Sequence, residues 1–402
     1  MRLGVSSPTL QSTQGRLRAV LWLYTLRFIM QQRYSNQFNI PLPLAVFLAT
    51  DDYDFEPNVI SATSLMKSTR QLVLSKRVKP SESMIDIAGL VSSRMGSAIH
   101  TAIETAWLKG HTTPNYWESL VELDDGETSL SFKSSLKNLA LKGLTAIGVP
   151  PPVTALKALG YSNLLIKRIV VNPSPTLLGL MRFIRIDPIP VYMEQRAYKQ
   201  VGQYRVSGKF DFVAEGRVQD FKSTSVYGYL NQTNAEKYSL QGSIYRWLNQ
   251  DIINKPDMTI NYIFTDWSAA DAKQNPDYPQ ARVHVQRIPL LSIKDTENYV
   301  VGQLRQLDMY KDSDETELPL CNDKDLWRKA TVWKYFKNPA KTERSTKNFD
   351  NANDAYARQN EDGSVGIVKE IKGGVVACRY CNAFDLCTQK DAYLASGELT
   401  LT

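Results

Sequence analysis

Cysteine and histidine are scarce in this chain, with four and three residues respectively among 402. Three of the cysteines fall in one short segment, as Cys378, Cys381 and Cys387, and Cys321 is the fourth. A secreted protein held by disulfides spreads paired cysteines through its length, so this clustering argues against that class. It indicates a protein of a reducing, cytoplasmic compartment whose C-terminal part carries a metal centre.

Acidic residues are absent from residues 1–50, which contain five arginines. Those arginines account for five of the seven net positive charges, so the rest of the chain is nearly neutral and its charge is no argument for nucleic-acid binding. The apolar run from Ala19 to Met30 contains Arg27 and is too short to cross a bilayer. We expect an additional N-terminal arm over residues 1–56; an organelle transit peptide or a start codon placed too early are the alternatives. No other stretch suggests a membrane span.

The most informative stretch runs from Val206 to Ser225. Two runs that alternate apolar and polar residues flank Glu215-Gly216, a pattern that predicts a β-hairpin. If the turn is centred on that pair, residues whose numbers add to 431 lie opposite one another, and Asp211 faces Asp220. Side chains alternate between the two faces of a strand, so Lys222 shares the face of Asp220.

Two carboxylates placed opposite each other repel, because their Cβ atoms are only about 5 Å apart. A hard divalent cation between them would remove the repulsion, and carboxylate oxygens suit Mg²⁺ or Mn²⁺. A nearby lysine could then hold a water molecule or steady a developing negative charge. The alternative is a surface hairpin with an ordinary Lys–Asp pair, which is a frequent source of false motif matches.

Six segments in order strengthen the catalytic interpretation: Ile60–Met66, Gly96–Glu104, Glu194, Gly208 to Lys222, Gln241–Tyr245 and Cys378–Cys387. Together they resemble the motifs of the PD-(D/E)XK nucleases, specifically the RecB-like branch with iron–sulfur cysteines, which includes AddB-type and CRISPR-adaptation nucleases. The motifs of that branch read S-x-S-x-L, G-x-x-x-H-x-x-x-E, an acidic residue, G-x-x-D with D-x-K, and Q-x-x-x-Y. The resemblance covers roughly residues 57–390.

The resemblance implies a role for each matching residue. His100, Glu194, Asp211 and Asp220 would bind one or two Mg²⁺ or Mn²⁺ ions, and Lys222 would position or activate the attacking water. Gln241 would orient Lys222 or the substrate backbone. A histidine–glutamate contact on a helix surface and a helix-surface amide are the alternatives for His100 and Gln241.

The resemblance also implies that the four cysteines, Cys321 included, bind a [4Fe–4S] cluster; by their chemistry four thiolates fit either this cluster or Zn²⁺. A fourth ligand from another residue and the absence of a metal are the further alternatives. In the commonest pattern of the family the lone cysteine precedes the nuclease motifs, whereas Cys321 follows them. The cluster would then close a loop of the C-terminal module only.

The predicted fold is α/β, with a mixed central β-sheet flanked by helices, a restriction-endonuclease-like core and a C-terminal cysteine-cluster module. Residues 57–320 form the expected core, with a helical insertion at about 111–188, and residues 321–402 form the module. The expected elements are helices over Ser61–Arg77, Arg94–Lys109 and Ala235–Asn249, and strands over Pro190–Tyr198, Thr259–Phe264 and Ala281–Pro289.

The segment from Trp327 to Lys347 mixes basic and aromatic residues. This composition suits a path for single-stranded nucleic acid, or a solvated basic face whose aromatic residues belong to the core. The expected function is that of a metal-dependent DNA nuclease, an exonuclease acting on DNA ends, with a helicase or recombination protein as a further partner. A structure-selective endonuclease and a catalytically idle DNA-binding subunit are the alternatives.

Overall fold

The computed structural model describes residues 33–50, 56, 58–78, 84–108, 151–183 and 185–401. They form two compact units. The sheet unit comprises the described residues of 42–66 and 89–304, and the cysteine unit those of 33–41, 67–88 and 305–402. Residues 1–32 of the predicted N-terminal arm and residues 111–150 of the predicted insertion lie outside the described residues.

The strands of the described residues, numbered along the chain, are β1 (Arg33–Ser35), β2 (Val59–Ser61), β3 (Met84–Asp86), β4 (Ile169–Val171), β5 (Ile189–Val201), β6 (Tyr204–Ala214), β7 (Arg217–Thr224), β8 (Asp257–Phe264), β9 (Val283–Pro289), β10 (Val332–Phe336), β11 (Lys347–Phe349) and β12 (Ile367–Ile371). The α-helices are α1 (Leu42–Ala49), α2 (Ala62–Leu65), α3 (Thr69–Arg77), α4 (Val91–Leu108), α5 (Val153–Ala158), α6 (Asn163–Arg168), α7 (Pro175–Phe183), α8 (Val226–Leu230), α9 (Ala235–Leu248), α10 (Ala269–Gln274), α11 (Ile293–Tyr310), α12 (Ala352–Glu361) and α13 (Gln389–Ala395).

A mixed seven-stranded sheet is the centre of the sheet unit. Six strands follow the order β4-β5-β6-β7-β8-β9, and β2 pairs with β6 off this path. The β4–β5, β7–β8 and β2–β6 pairs are parallel, and the others are antiparallel. Helix α4 contacts β7, and α9 contacts β6. The expected α/β fold with a mixed central sheet flanked by helices is confirmed, as is the position of the four cysteines near the C-terminus.

The predicted hairpin is present with the predicted register. Phe212 pairs with Gln219, Val213 with Val218 and Ala214 with Arg217, so the numbers of each pair add to 431. Glu215 and Gly216 have φ angles of 50° and 76°, as expected for the two central residues of a hairpin turn whose twist matches its strands.

Strand β6 changes partners along its length. Its last residues pair with β7 from Phe212 onward, whereas Arg205–Ser207 pair with β2. Beyond Gln219, β7 continues alongside β8 instead. The segment of β6 between its two partners, from Gly208 to Asp211, therefore lies where the sheet opens.

Close packing of α9 on this part of β6 requires a glycine. A Cβ atom at Gly208 would lie 2.7 Å from Leu248 and 3.0 Å from the Tyr245 ring. Tyr245 is buried and Leu248 is half-buried, so a larger residue at Gly208 would force both side chains to move.

Two predicted elements differ from the structure. The expected single helix over Ser61–Arg77 is divided into β2, α2 and α3, because Ser61 and Ser68 each cap a helix N-terminus with a side-chain hydroxyl. Within the region predicted as an insertion, β4 joins the central sheet beside β5. Its buried residues pack with β5 in one apolar cluster, so this part of the region contributes to the core.

The cysteine unit contains two small sheets. β1 pairs with β3 in parallel, and β10 lies between β11 and β12 in an antiparallel sheet. A small apolar cluster formed by Leu326, Val375 and Leu399 packs against Cys321 and Cys378. In the described part of the chain, no helix has both the length and the apolar character needed to cross a membrane.

Candidate active site

Three side chains from three separate elements meet where the central sheet opens. They are His100 on α4, Glu194 on β5 and Asp211 on β6, and one ligand-capable atom of each lies within 4.8 Å of the other two. His100 Nδ1 is 3.2 Å from Asp211 Oδ2. An imidazole and two carboxylates at this spacing could share one divalent ion. We refer to these residues as the triad.

The second ring nitrogen of His100 is held by the backbone. Nε2 lies 2.8 Å from the carbonyl oxygen of Phe221, and a carbonyl only accepts, so Nε2 carries the proton. Nδ1 is thereby turned toward Asp211, whose hydrogen bond raises the pKa of His100, more than burial lowers it. A backbone carbonyl that fixes the tautomer is the usual support of a metal-binding histidine.

Glu194 has a strained backbone within an otherwise regular strand. Its φ angle is 52°, a conformation that costs a non-glycine residue about 1–3 kcal/mol. Met193 and Gln195 on either side keep the same register with Phe212 and Phe210, so the distortion is confined to Glu194. Burial is the main cause that raises the pKa of the Glu194 carboxyl, and the ammonium of Lys209 opposes it.

Asp220 and Lys222 form an ion pair beside the triad, with Lys222 Nζ 2.7 Å from Asp220 Oδ2. The Asp220 side chain is 2% exposed, and burial raises its pKa to about 6. Burial lowers the pKa of Lys222, but the charge and hydrogen bond of Asp220 together with the charge of Asp211 outweigh it, so that the pKa lies above its usual value. Although the ion pair is close, Oδ2 accepts no well-aligned hydrogen bond from any residue that the structure describes.

The predicted opposition of Asp211 and Asp220 holds only approximately. The β6–β7 ladder ends at the pair Phe212–Gln219, one pair before the two carboxylates. Beyond this pair, the backbone amide of Phe221 donates a hydrogen bond to the side-chain Oδ2 of Asp211 at 3.4 Å, and not to the backbone of β6. Asp211 belongs to the triad, whereas Asp220 lies beside it and its negative charge raises the pKa of His100.

Helix α9 contributes Gln241 and two tyrosines near this site. Gln241 Nε2 donates to the Tyr245 hydroxyl at 2.8 Å. Tyr245 is buried, and the negative charges of Asp211 and Asp220 add to burial in raising its pKa. The Tyr238 ring is 5.5 Å from Lys222 Nζ. Gln241 therefore holds Tyr245, and the ring of Tyr238 lies beside Lys222.

An open cleft of about 1180 Å³ gives access to the triad. Its walls come from α1, α2, α4, β5, β6 and α9, and they include Glu104 and three cationic residues, Arg94, Arg196 and Lys209. Sequence patterns assigned no role to these cations. Lys209 and Asp211 are two residues apart on one strand, and this spacing predicts that Lys209 lies on the same face of the sheet as Asp211.

A second candidate site lies in the cysteine unit, where Cys321, Cys378, Cys381 and Cys387 line one small cavity. All four thiols are free. Burial raises the pKa values of Cys321 and Cys378 to about 11, so both are protonated thiols at neutral pH. Metal binding must displace those protons.

Polar groups of α3 and its cap reach three of these sulfur atoms. Ser68 Oγ lies 3.2 Å from Cys321 Sγ, and Arg70 Nε donates to Cys387 Sγ at 3.2 Å. Gln71 Nε2 is 4.0 Å from Cys381 Sγ. N–H groups aimed at sulfur stabilise thiolate ligands and tune the metal that they hold.

The donor set of this cavity suits a thiolate-bound cofactor, but the spacing matches neither candidate without adjustment. No three of the four sulfur atoms, all in the described part of the chain, lie within 4.8 Å of one another. Tetrahedral zinc with bonds of about 2.3 Å needs sulfur atoms roughly 3.8 Å apart. The free volume is about 20 Å³, so the thiols must move inward for zinc or outward for a larger cluster.

The basic and aromatic stretch forms part of the small sheet around β10. Tyr335 and Phe336 are buried, and the ring of Trp333 packs near that of Tyr356 on α12. Tyr335 and Phe336 are thus buried, as the second interpretation of this segment expects, whereas Trp333 is half-buried and Trp327 is exposed.

Comparisons with known proteins add little. No family model matches the chain, and no curated protein matches it. Among solved structures, the crystal structure of SSO0001 is similar with 14% sequence identity and a TM-score of 0.33, over 70% of this chain and 93% of that one. A phage-related exonuclease from Haemophilus somnus 129PT is similar with 12% identity and a TM-score of 0.21, over 48% of this chain and 92% of that one. Likenesses this distant carry no argument about function.

Proposed function

We propose that this protein is a DNA nuclease that requires Mg²⁺ or Mn²⁺ and removes nucleotides from DNA ends. The observation that carries the proposal is the convergence of His100, Glu194 and Asp211 within 4.8 Å, next to the Asp220–Lys222 pair. These five residues are among the positions at which the sequence resembles the RecB-like PD-(D/E)XK nucleases. The motif and the geometry thus concern the same side chains.

The residues of the site fit a divalent ion. His100 presents Nδ1 because its other nitrogen is bound to a carbonyl, and Glu194 is kept in place by a strained backbone. The triad supplies the ligands, and Asp220 adds a buried oxygen that lacks an aligned hydrogen bond among the described residues. When bound, such an ion supplies positive charge to the scissile phosphate and acidifies a coordinated water molecule.

Lys222 takes the role of a positioning and electrostatic group. Its ammonium is charged at neutral pH, because Asp220 keeps its pKa high. It can donate a hydrogen bond to the attacking water and stabilise the negative charge that develops on the phosphate. Asp220 orients Lys222 through their 2.7 Å contact, and Gln241 orients Tyr245 at the wall of the cleft.

Two alternatives to an exonuclease differ from it either in the DNA substrate or in catalysing no reaction. A structure-selective endonuclease would use the same residues within a DNA chain, and an idle DNA-binding subunit would not use them. The buried carboxylate of Asp220 is expensive to keep charged, which favours a working site over an idle one.

The test is cleavage of end-labelled linear DNA beside covalently closed circles, with Mg²⁺ or Mn²⁺. We expect loss of the linear DNA alone; nicked circles would favour the endonuclease, and no cleavage would overturn the proposal. Asp211→Asn removes a member of the triad and should abolish cleavage. Lys199→Met, which removes a lysine of β5 that pairs with Glu297 of α11 and lies over the Trp247 ring, is the matched control and should cut normally.

We further propose that the four cysteines bind a [4Fe–4S] cluster. The observations that support it are one cavity lined by all four thiols and N–H donors from Arg70 and Gln71 that reach two of the sulfur atoms. Protein purified without oxygen should contain iron and acid-labile sulfide. Stoichiometric zinc without iron would replace the cluster with a structural zinc site.

A further inference from the structure

Lys209 lies beside the triad, and the mechanism proposed above gives it no role. It precedes Asp211 by two residues on β6, so both side chains point to the same face of the sheet. Its ammonium is 2.6 Å from Glu194 Oε2, and its side chain is 42% exposed at the wall of the cleft. Lys209 therefore neutralises one member of the triad while remaining accessible to solvent and to a substrate.

This ion pair competes with a divalent ion for Glu194. A carboxylate oxygen that contacts an ammonium at 2.6 Å cannot coordinate a cation in the same direction without displacing it. Lysine is well suited to such an exchange, since its charge sits at the end of a flexible four-carbon chain. Binding of an ion by the triad must therefore displace the ammonium of Lys209 from Glu194, and this ammonium can then pair with another anion nearby.

The cleft wall favours a phosphate as that anion. Lys209 stands directly opposite Arg196 on the neighbouring strand β5, and both line the cleft together with Arg94. Like charges placed opposite each other on adjacent strands are destabilising. Arg196 donates to Ser207 Oγ at 3.3 Å and lies 3.9 Å from Glu56, which keeps it in position across from Lys209.

We propose that Lys209 is an exchangeable counter-ion of the triad. It pairs with Glu194 when no divalent ion is bound, and it contacts a DNA phosphate beside the reacting one when an ion takes Glu194. This inference rests on the proposed nuclease function and extends it. It makes ion binding and DNA binding cooperative, because each relieves a charge that the other leaves uncompensated.

The test uses Lys209→Met in the full-length protein, a change that keeps most of the side chain and removes its charge. Titration with Mn²⁺ in the absence of DNA should give a Kd about two- to fivefold lower than that of the wild type, the scale of a partly exposed ion pair. With linear DNA and saturating Mn²⁺, KM should rise severalfold while kcat changes little. If Lys209 had a merely structural role, its replacement would weaken Mn²⁺ binding. It could not strengthen Mn²⁺ binding while weakening the binding of DNA.

Two variants control the experiment. Lys209→Arg keeps the charge and should stay close to the wild type in both measurements. Lys199→Met removes a lysine of comparable exposure that does not line the cleft, and should change neither. An equal or weaker Mn²⁺ affinity in Lys209→Met, or an unchanged KM, would overturn the role of Lys209. Failure of the wild type itself to bind Mn²⁺ would instead overturn the proposed function.

Discussion

The sheet unit and the cysteine unit each bring reactive groups together, but over very different distances along the chain. In the sheet unit, Asp211, Asp220 and Lys222 come from a single hairpin. In the cysteine unit, Arg70 reaches Cys387 across 317 positions of the sequence. The first arrangement follows from local strand geometry, whereas the second depends on tertiary folding.

The two units also differ in how their ionisable groups are balanced. Two carboxylates of the sheet unit, Glu194 and Asp220, contact lysines at 2.6–2.7 Å, so each has a cation beside it that could also act on a substrate. In the cysteine unit, the thiols of Cys321 and Cys378 are neutral because burial raises their pKa values. We therefore expect rapid, reversible ion binding in the sheet unit and slow, structural cofactor binding in the cysteine unit.

The largest expected effect is the loss of the cofactor from Cys381→Ser. Removing one of four thiolate ligands should abolish nearly all bound iron, because a hydroxyl is a poor ligand for this cluster. Elemental analysis and the visible spectrum of protein purified without oxygen measure it. The Mn²⁺ titration of the sheet unit should be unaffected, and a parallel loss of Mn²⁺ binding would contradict the separation of the two sites.

The next effect concerns Arg70, which is 2% exposed, pairs with Glu315 and donates to Cys387. Arg70→Met leaves a shielded carboxylate without its cation, so the free energy of unfolding should fall by about 3–5 kcal/mol. Chemical denaturation measures this change. Arg168→Met is the control in the sheet unit: its pair with Asp187 is exposed and should cost less than about 1 kcal/mol. Equal losses in both variants would refute a special role for Arg70.

Lys222→Met should separate chemistry from binding in the sheet unit. We expect cleavage to fall roughly a hundredfold or more, while Mn²⁺ binding persists because the triad is intact. The measurement pairs single-turnover cleavage with Mn²⁺ titration. Cleavage within about twofold of the wild type would exclude a catalytic role for Lys222.

The smallest effect is the pH dependence that Asp220 imposes on stability. Its folded pKa of about 6 lies above the usual carboxyl value of about 4, so the protonated form is favoured by folding. This stabilisation is complete below about pH 4 and is lost as the pH rises through about 6. In EDTA, the wild type should lose about 1–3 kcal/mol of stability over that range relative to Asp220→Asn.

At neutral pH, Asp220→Asn should therefore melt at or above the wild-type temperature in EDTA, gain little from Mn²⁺ and cut no DNA. Thermal unfolding of both proteins between pH 4 and 7 provides the measurement. A variant that is clearly less stable than the wild type in EDTA would identify Asp220 as a structural acceptor. A full response of the variant to Mn²⁺ would show that Asp220 is not a required ligand.

Several features of the site could be derived from the sequence because they depend on near neighbours. The alternation of residues in the hairpin, with Glu215-Gly216 at its turn, determines the register that the structure displays. The same alternation places Lys222 beside Asp220. The helical spacing of Gln241 and Tyr245 similarly determines their hydrogen bond.

Other features depend on contacts between distant segments. The pattern of Ser61–Arg77 suggests one helix, and only the parallel pairing of β2 with β6 reveals why its beginning is extended. The strain at Glu194 has no local sequence signal, since glutamate ordinarily avoids positive φ. The role of α3 beside the cysteines was equally hidden, because it joins residues about 250 to 320 positions apart.

The sequence by itself thus determined the hairpin, its register and the residue types of both candidate sites, since strand alternation and turn chemistry act over a few residues. Tertiary structure decided which of those residues meet. It put His100, Glu194 and Asp211 together where β6 changes partners, and it set Lys209 against Glu194. The physical reason is that side-chain distance and burial, which set charge and pKa, arise from packing between elements that the order of residues does not record.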